Sequence, residues 1–331
     1  MSAIGFTTSI PIEVLIAAGK RPVDLNNVFI SQSDSLKRVQ EAEKKGFPAT
    51  CCAWMKGIYA TVSELDLEEI IAVVRGDCSQ TQALMEILQM EGVSVLPFAY
   101  PYDRSFTSMH EEILKLQAHF GVKEAEVAEA KKSLDRIREK LNTIDQLTWQ
   151  DGLVSGHENH QFLVAASDMK GDPAGFEKEV SDFIDQVERR TPWKDEKSIR
   201  LGYLGVPPIW DDFYDKVEGQ GVRIVFNEIQ RQFSMPYLAP DITGQYLLFT
   251  YPYDIFFRLK DIRKEMANRQ IDGFIHYGQA FCFRQMEDKI FRHYLPKPIL
   301  TLEGDRPESL DARAQIRIEA FVEMLIKDKK G

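Results

Sequence analysis

The chain has 331 residues, 44% hydrophobic and 28% charged, with a formal net charge of −10. That balance describes a globular protein large enough for two α/β domains, or for one domain with a large insertion. The acidic excess argues against nucleic acid or an anionic membrane as partner, and no apolar run approaches the roughly 18 residues that cross a bilayer.

The opening predicts strand, helix, strand. Ala3 to Thr8 is extended, Pro11 stands where a helix begins, and Gly19 closes the run Ile12 to Ala18. A polar helix follows over about 34–45, with Ser33 or Asp34 as its cap, and Gly46-Phe47-Pro48 ends it just before Cys51 and Cys52. Three later stretches share one plan of apolar strand, polar loop, helix of roughly 14 residues, glycine and second strand. The first holds Ile70 to Val74, a helix over 81–90 and Val93 to Leu96. The second holds Ile199 to Leu204, a helix through Asp212 to Val217, and Val222 to Phe226. The third holds Asp272 to His276, a helix to about His293, and Pro298 to Leu302. Continuous β-branched strands alternating with helices predict parallel sheets covered on both faces.

Phe98-Ala99-Tyr100-Pro101-Tyr102-Asp103 recurs as Phe249-Thr250-Tyr251-Pro252-Tyr253-Asp254, an echo that suggests duplication, and each copy runs into a predicted helix. Between the copies, 123–147 reads as a charged amphipathic helix with Val127, Leu134, Ile137, Leu141 and Ile144 on its apolar stripe, an interdomain packing helix. The polar stretch 191–197 is the linker candidate, giving lobes 1–192 and 193–331. The last helix, about 314–326, is expected to dock on the first half. No phosphate-binding Gly-x-x-x-x-Gly-Lys-Ser/Thr loop, dinucleotide fingerprint or nucleophile elbow is present, so any ATP chemistry falls to another protein.

Three of the four cysteines stand far apart at the mouths of predicted units. Cys52 opens a helix, Cys78 follows the first strand run, and Cys282 follows the third. Ligands of parallel sheets bind beyond the strand C-termini. Three thiolates converging there would suit an iron–sulfur cluster or another soft-metal site, whereas the paired Cys-x-x-Cys spacing of structural zinc is missing. Each cysteine taken alone reads as an inert core residue. Few cysteines and an N-terminus without a basic, apolar leader point to a reducing cytoplasm. His157 and His160 resemble a metal pair but fall at a helix start, exposed or facing a ligand. His276 and Tyr277, at the end of the third strand run, are candidate proton-transfer residues lining the cleft.

These features together resemble the iron–sulfur subunits of the 2-hydroxyacyl-CoA dehydratase and benzoyl-CoA reductase family, over nearly the whole chain. The carriers are Ile10-Pro11-Ile12-Glu13 with Ala17 to Val23, Cys52-x-x-x-Lys56-Gly57, Gly76-Asp77-Cys78, Leu204-Gly205-Val206-Pro207-Pro208, Phe281-Cys282, and Arg313 to Leu325. The resemblance implies two Rossmann-like lobes with a cluster in the cleft between them. It implies that Cys52, Cys78 and Cys282 hold a [4Fe–4S] cluster whose fourth iron lacks a protein thiolate, with Cys51 a neighbour. The double-cubane branch of the family would need further cysteines where this chain reads Val225 to Ile229. The implied activity is radical dehydration of a 2-hydroxyacyl-CoA, or the related reduction of an acyl-CoA. Its implied partners are an ATP-hydrolysing iron–sulfur activator and a homologous second subunit or a second copy. The alternatives are a low-potential reductase of another small molecule and an electron-relay subunit whose sibling binds substrate.

Overall fold

Among the described residues the chain forms eight strands: β1 (Ala3–Phe6), β2 (Arg21–Asp24), β3 (Glu69–Arg75), β4 (Val95–Ala99), β5 (Ile199–Gly205), β6 (Val222–Asn227), β7 (Gly273–Gln279) and β8 (Ile299–Gly304). The computed structural model describes residues 1–193 and 198–330. Most of the predicted linker, residues 194–197, lies outside that range. The strands form two four-stranded sheets, ordered β2-β1-β3-β4 and β6-β5-β7-β8, with every pairing parallel. Parallel neighbours need crossover helices, which cover both sheet faces. β1 and β7 are accordingly buried at every position.

The two sheets repeat one order: the first strand lies between the second and third, and the fourth lies outermost. β3 and β7 therefore hold the same place in their sheets. The sheets share this topology, but the hexapeptide echo does not mark it. The first copy leaves β4, whereas the second lies between the helices Ile242–Leu248 and Ile255–Asn268. The copies pack on each other instead, with the Tyr100 ring 6.0 Å from Tyr253 and 6.1 Å from Phe249.

The predicted amphipathic helix is Glu124–Gln146, and the whole expected stripe is buried. It also buries charge. Arg138 donates to Glu13 at 2.8 Å, behind β1, and Asp145 accepts from Arg269 at 2.9 Å, on the helix that feeds β7. Buried partners of this kind are costly to break singly. One apolar cluster also runs through both halves, joining Trp54, Met55 and Ile58 to Trp210, Phe213 and Tyr277.

The last helix, Ala312–Lys330, corrects an expectation. It packs on the second sheet, not the first half. Gly273 of β7 leaves no room for a side chain beneath Phe321 and Leu325, and Lys329 reaches Asp272 at 2.8 Å. Its apolar face finds the nearer uncovered side of β5 and β8.

Candidate metal centre

Cys78 and Cys282 lie in equivalent loops, each following the third strand of its sheet. The Cys78 loop needs Gly76, whose φ is +101° and whose missing Cβ would stand 2.8 Å from Pro252 and 2.9 Å from Tyr100. Cys52 is the N-cap residue of the helix Ala53–Val62, which precedes β3. The helix that precedes β7 is Ile255–Asn268, and the segment leading into it brings Tyr251, with no thiol, to the same cavity. Cys52, Cys78 and Cys282 all line this cavity, of about 110 Å³, together with Asp24, Asp77, Tyr251, Gln279 and Arg284. Cys51 does not line it; its thiol donates to Gln80 Oε1 at 3.1 Å.

Each of the three thiols faces backbone N–H groups. Gln80 N–H points at Cys78 Sγ over 3.4 Å. The amides of Trp54 and Met55 approach Cys52, and that of Arg284 approaches Cys282. Such amides favour a thiolate, as do helix N-termini. Burial works against them. It pushes the Cys52 thiol up to about 12 and raises Cys282, and at Cys78 the charge of Asp77 adds to burial. Burial thus favours the neutral thiols, and metal coordination deprotonates a thiol outright.

The donor set fits an iron–sulfur cluster. Three soft thiols from three distant segments face one cavity, with amides aimed at the sulfurs, a feature that tunes cluster potentials. Among the described residues, no three His, Cys, Asp or Glu side chains group as ligands of a single ion. A multi-iron cluster needs no such convergence, because each thiolate binds its own iron. Arg284 brings a positive charge to the cavity, its guanidinium 4.6 Å from the Tyr251 ring and hydrogen-bonded to the Tyr251 carbonyl at 3.2 Å.

Neither His276 nor Tyr277 lines the cavity. His276 is fully buried on the far side of β7, its Nδ1 3.1 Å from Asp288 and its ring against Phe291. The Tyr277 hydroxyl accepts from Ile209 N–H at 3.3 Å and donates to Gln279 Oε1 at 2.9 Å. Gln279 faces the cavity in its place.

Sequence reasoning missed a second, larger cavity of about 1020 Å³ between the helices Leu25–Ser31 and Gly156–Ala165 and the Pro208–Tyr214 stretch. It shares Asn27, Ile30, His160, Val164 and Pro208 with the thiol cavity, so the two adjoin there. Asp24 lines the inner side and Asp168 the outer. Both carboxylates are buried, and Asp168 accepts from Asp24 N–H at 2.9 Å. The other buried acids, Glu13, Asp145, Glu228, Asp261 and Glu265, each pair with arginine. Among the described residues Asp24 and Asp168 have no such partner, and burial raises both, Asp168 to about 7.

The chain matches one protein family, described as 2-hydroxyglutaryl-CoA dehydratase, D-component, over residues 7–325. No curated protein matches it. Among the described residues, no helix is long and apolar enough to cross a membrane.

Proposed function

The chain belongs to the 2-hydroxyglutaryl-CoA dehydratase D-component family, and from that premise we propose that it is the iron–sulfur subunit of an ATP-activated radical 2-hydroxyacyl-CoA dehydratase or related acyl-CoA reductase. The observation that carries the reading is the meeting of Cys52, Cys78 and Cys282 around one cavity. These three would hold a [4Fe–4S] cluster. When bound, it supplies a low-potential electron and an iron open to a thioester oxygen.

The chain's own residues do the rest. Trp54, Met55, Val206, Pro207 and Phe233 wall the cavity and exclude water, which strengthens every charge interaction inside it. Arg284, which pairs with Glu287 at 3.2 Å, would set a positive charge at the cavity wall. Tyr277 acts from behind the wall by orienting Gln279, and His276 braces β7 through Asp288. The wide outer cavity, and a neck where it adjoins the thiol cavity, would offer the path for a long acyl thioester. Lobes 1–192 and 193–331 belong to this reading, supported by each holding one complete sheet.

The activator, a related second subunit or second copy, and a cytoplasmic setting complete the proposal. The test is turnover by the anaerobically purified chain with activator, ATP and a panel of 2-hydroxyacyl-CoA and enoyl-CoA esters. Water loss or reduction by this chain alone supports the reading. Turnover only after a second subunit is added would assign this chain the relay role.

A further inference from the structure

We propose that His160 contacts the substrate, its imidazole hydrogen-bonding an amide or carbonyl of the arm of an acyl thioester at the neck between the outer cavity and the thiol cavity. This inference rests on the acyl-thioester reading above.

The neck is built from three apolar residues, Ile30, Val164 and Pro208, and two polar ones, Asn27 and His160. Asn27 is already engaged: its amide donates to Ser167 Oγ at 3.0 Å and to the Val164 carbonyl at 3.4 Å. His160 is not. The ring is half-buried, and its Nδ1 has no hydrogen-bond partner and is closed to solvent, so a ligand would meet this nitrogen after a half-turn of the ring about its bond to Cβ. An unsatisfied buried nitrogen costs free energy, and native structures supply it with a partner from protein, water or ligand.

The ring is held ready. His160 rides the helix Gly156–Ala165, whose start is fixed by a capping box between Ser155 and Glu158. The ring lies 4.9 Å from that of Tyr214, and the Tyr214 hydroxyl is anchored on Asn227 Oδ1 at 2.9 Å. Burial first, and then the nearby His157, push His160 down to about 3, so it stays neutral near pH 7. A neutral imidazole offers one donor and one acceptor. Such a ring among apolar walls suits a neutral, amide-bearing chain. It does not suit a phosphate, which would want a cation.

The experiment measures butyryl-CoA binding by calorimetry on the anaerobically purified, cluster-loaded chain, in wild type, His160→Gln and His160→Phe. Phe keeps the packing on Tyr214 and removes both nitrogens; Gln keeps a donor and an acceptor. The expected result is about tenfold weaker binding for the Phe variant, the worth of one neutral hydrogen bond, with Gln within about threefold of wild type. Unchanged binding in the Phe variant overturns the role of His160 and leaves the acyl-thioester reading standing. No binding by wild type overturns both. Should the Phe variant fail to fold, carbethoxylation of wild-type His160 decides: bound butyryl-CoA slows it if the inference holds, and an unaltered rate overturns it.

Discussion

The Tyr251 hydroxyl donates a 2.6 Å hydrogen bond to the carboxylate of Asp77, the residue before Cys78. The carbonyl of the same tyrosine accepts from Arg284, two residues past Cys282, at 3.2 Å. One side chain and its own backbone thus clip together the two loops that carry equivalent cysteines of the two sheets.

Removing that hydroxyl leaves Asp77 Oδ1 without its partner inside the cavity wall. Tyr251→Phe is expected to lower stability by about 0.5–1.5 kcal/mol, the net worth of a hydrogen bond to a half-buried acceptor. Urea unfolding of the two proteins measures it. Equal midpoints and slopes would show that the clip contributes nothing.

Arg258 is fully buried, with its Nε 2.7 Å and its Nη2 3.0 Å from the two oxygens of Glu228, and it also pairs with Glu287. Arg258→Leu strands Glu228 and leaves Glu287 with Arg284 alone, so a loss of about 3–5 kcal/mol is expected. Adding Glu228→Gln to that variant is expected to restore part of the loss, because one stranded charge disappears. A double variant no more stable than the single would contradict this account.

Burial, helped by the charge of Asp24, raises Asp168 to about 7, above its usual value of 3.8. Between those two pH values the folded state keeps a proton that the unfolded chain has released. Stability from this group is whole below pH 4 and is lost as pH rises toward 7. His160 acts in the opposite sense: its value near 3 lies below the usual 6.5, so its contribution is lost as pH falls. The difference between wild type and Asp168→Asn isolates the carboxylate. The variant is expected to gain relative stability steadily from pH 4 to 7 in urea titrations. A difference that does not vary with pH would refute the raised value.

Much of this was legible in the chain. Apolar runs and glycine stops gave the strands and the alternation with helices. The three cysteines announced a common site because each opens a helix or follows a strand. The errors have physical causes. In a parallel sheet covered on both faces, apolar runs do not reveal which face a residue takes, so His276 looked as eligible for the cavity as Gln279, while Tyr277 shares the face of Gln279 but lies one pair of residues short of the strand end. The hexapeptide echo reflected two segments packing together, and no local pattern distinguishes that from duplication. Asp24 lies far in sequence from His160 and Asp168, and only the tertiary fold shows that these two acids lack the arginines that partner the other buried acids.

The central claim is that Cys52, Cys78 and Cys282 hold one cluster and Cys51 does not. Iron and acid-labile sulfide are counted in anaerobically purified wild type and in the four single cysteine-to-alanine variants. The account predicts about four iron and four sulfide per wild-type chain, as for one [4Fe–4S] cluster. It predicts loss of most of that iron in Cys52→Ala, Cys78→Ala and Cys282→Ala, and its retention in Cys51→Ala. Iron retained in Cys52→Ala and lost in Cys51→Ala would contradict it.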